Sequence, residues 1–94
     1  MSQNYFDLKG KIALVAGASR GIGQAIAIAL GEHGAHVIAL SRGEGGCAET
    51  IKSIFDSGGS AEGIACHIGR MDDIAKVYKH VDENHGKLDI LVNN

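Results

Sequence analysis

Val15-Ala16-Gly17-Ala18-Ser19-Arg20-Gly21-Ile22-Gly23 is the stretch on which the reading of this chain turns. The apolar run Ile12-Ala13-Leu14-Val15-Ala16 leads into it, and a segment with apolar residues at Ile22, Ile26, Ala29 and Leu30 leaves it. A buried strand that turns through glycines into a helix makes an anion site for a physical reason. The first turn of a helix has backbone N–H groups with no partner inside the helix. The helix dipole puts partial positive charge at the same end. Glycines let a phosphate come close enough to use both. The spacing is Gly17-x-x-x-Gly21-x-Gly23, not the G-x-G-x-x-G of the common dinucleotide fingerprint. No Lys-Ser or Lys-Thr pair follows, which argues against a P-loop.

Working outward, apolar periodicity predicts strands over 11–16, 35–40, 61–68 and 88–93, and helices over 21–33, 47–57 and 72–85. The inward faces read as Ile22, Ile26, Ala29 and Leu30 on the first helix. On the second they read as Ala48, Ile51, Ile54 and Phe55, and on the third as Ile74, Val77, Tyr78 and Val81. The order β-α-β-α-β-α-β with short connections implies a parallel sheet with right-handed crossovers. Strands written as apolar runs fit a sheet covered on both faces. The expected class is therefore α/β, a Rossmann-type doubly wound parallel sheet in three layers (α/β/α), with residues 1–94 as one domain. Such sheets take ligands beyond the carboxyl ends of their strands. Four polar or glycine-rich stretches fall there: 17–23, Ser41-Arg42, His67-Ile68 and Asn93-Asn94.

Composition removes several classes. The net charge is -2 and no basic cluster occurs, so nucleic acid is not an expected partner. No apolar run approaches the roughly 18 residues of a membrane span. The first residues lack the basic and apolar regions of a signal peptide. The expected location is the cytoplasm or an organelle matrix. Cys47 and Cys66 read as reduced, buried apolar groups rather than a disulfide or a metal pair. Of the five histidines, His33, His80 and His85 fall on polar helix faces, His36 opens a strand, and only His67 lies at the ligand edge. No histidine pair has ligand spacing, so no metal is expected. The adjacent acids Asp72-Asp73 and Asp82-Glu83 do not share a helix face.

The loop after the second strand bears on cofactor choice. An NAD site places an acid about twenty residues beyond the glycines, to accept from the ribose 2′-hydroxyl. Here the chain reads Leu40-Ser41-Arg42, with no acid until Glu44. A guanidinium binds a 2′-phosphate through charge-assisted, bidentate bonds. Arg20 offers a second cation. NADP(H) is expected over NAD(H).

With Leu88-Asp89-Ile90-Leu91-Val92-Asn93-Asn94 added to Gly17-Ala18-Ser19-Arg20-Gly21-Ile22-Gly23, the chain resembles the N-terminal half of the short-chain dehydrogenase/reductase family, in its NADP-preferring branch. The resemblance runs from about Leu8 to Asn94. It implies that the loop, Gly17 to Gly23 with Ala18 inside it, wraps the pyrophosphate and adenosine ribose. It implies that Ser41 and Arg42 meet the 2′-phosphate, that His67 and Ile68 flank the adenine, and that Asn94 contacts the ribose near the nicotinamide. Two residues depart from the family pattern. Ala16 stands where a Thr hydroxyl usually ties the loop to a neighbouring strand, and His67 stands where Asp or Asn is usual.

The family's catalytic Ser and Tyr-x-x-x-Lys pair cannot be assigned. Tyr78 is followed by Val81 and Asp82 at the relevant spacings, so it reads as helix packing. The resemblance thus implies the first half of the doubly wound sheet, without its catalytic half and inactive alone. The intact enzyme would be a homo-oligomer moving a hydride between nicotinamide and a small carbonyl or secondary alcohol. A non-catalytic dinucleotide-binding or interaction module is the alternative. A methyl-transfer domain would place an acid after the second strand, and Leu40-Ser41-Arg42 argues against it.

Overall fold

The computed structural model describes residues 7–93, so Asn94 lies outside the described residues. Four parallel strands, β1 (Ile12–Ala16), β2 (His36–Ser41), β3 (Ser60–Ala65) and β4 (Ile90–Val92), lie in the order β3-β2-β1-β4. Helices α1 (Gly21–Glu32), α2 (Ala48–Asp56) and α3 (Met71–Asn84) connect them. The direction of winding reverses at β1, between β2 and β4, and the glycine loop leaves β1 at that point.

Alternation along the central strands sorts their side chains to two sides. Val15, Val37 and Ala39 pack with Ala27 of α1 and Ile54 of α2. Ile12, Leu14, Ile38 and Leu40 pack with Val77 and Val81 of α3. All five residues of β1 are buried, as a strand covered on both faces requires. These are the three expected layers. β4 is fastened at its start by a reciprocal pair. Ile12 N–H donates to Asp89 Oδ2 at 2.8 Å, and Asp89 N–H donates to the Ile12 carbonyl at 2.9 Å. The Ile12 N–H holds the Asp89 carboxyl below the usual carboxylate range against partial desolvation, and the Lys87 ammonium at 3.2 Å assists.

The structure corrects the expected helix faces. Gly23, Ala27 and Gly31 form the buried stripe of α1, while Ile22 is 72% exposed and Ile26 and Leu30 are half-buried. The stripe is small because α1 lies close against α2: a Cβ on Gly31 would sit 2.6 Å from Ile54 Cγ2. On α2 the buried residues are Thr50 and Ile54, and Ala48 and Phe55 are exposed. On α3 Val77 and Val81 are buried, whereas Tyr78 is exposed. Strand three stops at Ala65 rather than reaching residue 68, and strand four covers three residues. Both strands are edges among the described residues. Cys47 directly precedes α2 and Cys66 directly follows β3, and both are free, buried thiols. Desolvation raises both thiol pKa values. At Cys47 a hydrogen bond with Ser41 opposes the rise, and at Cys66 the Asp73 charge adds to it. Among the described residues no helix is long and apolar enough to cross a membrane.

Candidate functional site

Gly17 (φ 66°) and Gly21 (φ 62°) both occupy the left-handed region, which favours glycine. They let the chain leave β1, turn, and start α1 within four intervening residues. Arg20 precedes the helix in an extended conformation, and no side chain caps the helix start among the described residues. The first-turn N–H groups of α1 therefore lack a side-chain acceptor, the state in which a helix start takes an anion.

The loop is held from behind. Ala18 is fully buried. Its N–H donates to the Leu40 carbonyl at 3.1 Å, and its carbonyl accepts the Thr50 hydroxyl at 2.7 Å. That hydroxyl in turn accepts from Gln24 Nε2 at 3.1 Å. Thr50 is fully buried on α2 and supplies a hydroxyl tether to the loop, which Ala16 cannot. Sequence reasoning did not single it out. Its only sequence signal was a hydroxyl residue four positions before the inward Ile54.

A cleft of about 890 Å³ opens in front of the loop, within the usual range for a cofactor site. Gly17, Ser19, Arg20, Gly21 and Ile22 line it from the loop and the start of α1, Leu40, Ser41 and Arg42 from the end of β2, and Cys66 and Ile68 from the segment after β3. The structure thus gathers most of the residues singled out in the sequence. Ala18 and Gly23 lie behind the cleft, one in the core and one on the buried stripe of α1. Arg42 and Arg20 are exposed, and neither is in an ion pair among the described residues.

The Arg42 guanidinium instead donates through Nη2 to His67 Nε2 at 2.7 Å. Gly69 N–H points at the other ring nitrogen, Nδ1, at 3.0 Å. A neutral imidazole carries one N–H and accepts at one nitrogen only, so the two contacts compete. We assign the acceptor to Nε2, where the donor is charged and the bond shorter. The backbone N–H of His67 donates to Asp73 Oδ2 at 2.9 Å, which fixes the turn between β3 and α3.

The histidines depart from the sequence reading at the opposite edge of the sheet. Glu62 Oε2 lies 2.7 Å from His36 Nε2 and 2.8 Å from His85 Nε2, and Oε1 is met by His80 Nε2. Burial pushes the Glu62 carboxyl up, but hydrogen bonds from His36, His85 and His80 outweigh it, so its pKa lies below the ordinary value of 4.5.

Comparison with known proteins gives a consistent result. The short chain dehydrogenase family model matches residues 11–94. Versicolorin reductase 1 of Dothistroma septosporum is 41% identical over 95 aligned residues, covering 100% of this chain and 36% of that protein. A 3-oxoacyl-(acyl-carrier-protein) reductase of Vibrio harveyi is 44% identical over 88 residues, covering 94% of this chain and 35% of the relative. Among solved structures, a metagenomic short-chain oxidoreductase in complex with NADP superposes with a TM-score of 0.91 at 43% identity, covering 94% of this chain and 40% of that one. A hydroxysteroid dehydrogenase from Escherichia coli superposes with a TM-score of 0.91 at 31% identity, covering 99% of this chain and 40% of that one. The chain spans a little over a third of the length of the curated relatives it matches.

Proposed function

The chain belongs to the short chain dehydrogenase family, and on that premise we propose that it is the cofactor-binding portion of an NADP(H)-dependent oxidoreductase acting on a carbonyl or secondary alcohol. The observation that carries the choice of cofactor is Arg42. It sits at the carboxyl end of β2 on the cleft rim, without an ion-pair partner among the described residues, where a carboxylate would select NAD. The cleft volume, the uncapped start of α1 and the left-handed glycines fit a dinucleotide. The relative solved in complex with NADP supports the same reading.

In this reading the loop and the first turn of α1 hold the pyrophosphate, and Ser41 and Arg42 hold the 2′-phosphate. Ile68 and His67 flank the adenine, and Asn94 reaches the nicotinamide ribose. A phosphate is a stronger acceptor than an imidazole, so Arg42 leaves His67 when the 2′-phosphate arrives. The bound cofactor supplies or accepts the hydride. The residues of this chain bind it and orient it, and the proton-transfer groups belong to the remainder of the enzyme. The intact enzyme is read as a cytoplasmic homo-oligomer.

The test is the ratio of dissociation constants for NADPH and NADH, repeated with Arg42→Ala. A charged hydrogen bond contributes about 1.5–3 kcal/mol, so at least a roughly tenfold preference for NADPH is expected. Arg42→Ala should remove most of that preference and leave NADH affinity unchanged. An unaltered ratio in the variant would show that Arg42 does not select the cofactor.

A further inference from the structure

At the amino end of the sheet, four side chains from distant parts of the sequence meet. His36 is the first residue of β2, Glu62 is the third residue of β3, His80 lies near the end of α3, and His85 is its C-cap. The ligand-capable atoms of His36, Glu62 and His85 all lie within 4.8 Å of one another. We propose that His36 Nε2, His85 Nε2 and Glu62 Oε2 bind a divalent transition metal ion of the zinc type, at a site separate from the cofactor cleft.

Four observations carry this. The first is the donor set. Two imidazole nitrogens and one carboxylate oxygen suit zinc and its neighbours, whereas calcium and magnesium require mainly oxygen ligands. The second is the support around the ligands. Ser60, the cross-strand neighbour of His36, places its hydroxyl 2.9 Å from His36 Nδ1. Once an ion takes the place of the Nε2 proton, Ser60 accepts from Nδ1–H and the lone pair of His36 on Nε2 faces the site. Asn84 presents Nδ2 to His80 Nδ1 at 3.2 Å while also donating to the His80 carbonyl at 2.9 Å. That arrangement leaves the His80 proton on Nε2, where it donates to Glu62 Oε1 and aims Oε2 at the metal. His80 is a positioning residue, not a ligand.

The third observation is electrostatic. His85 closes α3, and the carboxyl end of a helix favours a cation. The fourth is access. The side chains of His36, Glu62 and His85 are 25%, 26% and 17% exposed, enough to admit an ion while most of the surrounding water is displaced. The ion would replace the two protons that His36 and His85 now share with one carboxylate oxygen, and it would bind β2 and β3 to the end of α3. The site and the cofactor cleft lie at opposite ends of β2, about 17 Å apart at roughly 3.3 Å per residue.

The test is Zn²⁺ titration of the metal-stripped protein by calorimetry, with Co²⁺ absorption as a report on coordination. One equivalent of Zn²⁺ is expected, with visible d–d bands for Co²⁺ and a Zn²⁺-dependent rise in melting temperature. His36→Ala and His85→Ala should each weaken Zn²⁺ at least tenfold. His85→Glu, which offers an oxygen ligand at about the reach of Nε2, should recover most of the loss and so separates ligation from folding. His33→Ala should leave Zn²⁺ affinity unchanged. NADPH affinity should be the same with and without Zn²⁺, which keeps this result independent of the cofactor reading. Failure of the wild-type protein to bind one equivalent would overturn the proposal. Undiminished binding by the His36→Ala/His85→Ala double variant would overturn it equally.

Discussion

Ser41 and Arg42 at one end of β2 border a cleft whose shape is set by backbone. His36 at the other end borders a cluster made wholly of side chains. At the carboxyl end the shape comes from two left-handed glycines, an uncapped helix start and a loop pinned through Ala18. At the amino end it comes from three imidazoles around one carboxylate. The difference has a physical consequence. A shape set by peptide groups does not titrate in the physiological range, and it is damaged chiefly by changes behind it. A cluster gathered on one carboxylate depends on the charge of that carboxylate, and a single side-chain substitution dismantles it.

The largest expected effect tests the first half of that contrast. Thr50→Val keeps the shape of the side chain but leaves the buried Ala18 carbonyl without its hydroxyl donor. An unsatisfied buried acceptor costs about 1–3 kcal/mol. Urea unfolding should show that loss, with NADPH binding weakened in parallel and the pH dependence of stability unchanged. Full NADPH affinity in a destabilised variant would mean the loop is rigid without its tether.

The second effect belongs to the other end. The Glu62 carboxyl titrates below 4.5 in the folded chain. A carboxylate with a depressed pKa stabilises the fold above its unfolded value, and that contribution is lost as pH falls through the folded value. Glu62→Gln should therefore melt below the wild type at neutral pH, and the gap should close as the pH is lowered beneath 4.5. NADPH affinity should not change. A gap that is the same at every pH would mean that the carboxylate charge is not what Glu62 contributes. The smallest effect is that of Ser60→Ala, which frees His36 Nδ1 at an exposed position. It should cost under about 0.5 kcal/mol in metal-free buffer, the low end for a hydrogen bond. Its Zn²⁺ affinity should fall by about tenfold, the lower range for an outer partner of a metal ligand.

The same contrast explains what could be read in the sequence. The glycine loop lies within nine consecutive residues, and strand and helix periodicity bracket it, so its place at a strand's carboxyl end followed directly. Thr50 escaped notice because its partner Ala18 stands 32 residues away. The histidine cluster escaped because no local spacing encodes it. His36 reaches Glu62 through the register of β2 on β3, and His80 and His85 reach it only once α3 packs across that face. The inward face of α1 was misjudged because apolar mass points to Ile22 and Ile26. Close approach to α2 selects Gly31 instead. Strand three was overextended because Cys66 and Ile68 look like strand residues, yet the chain leaves the ladder at Ala65.

The strand order β3-β2-β1-β4 also implies a gradient of local opening. Residues 36–40 of β2 are paired on both sides, with β1 and with β3, whereas β4 contributes three residues to β1 alone among the described residues. Amides that open only with the whole domain exchange with solvent most slowly, and fraying edges exchange first. Deuterium uptake should therefore be slowest at Val37 to Leu40. β3 pairs with β2 alone among the described residues but carries Glu62, so an ion held there would slow exchange along that margin and leave the pairing of β1 with β2 as it was.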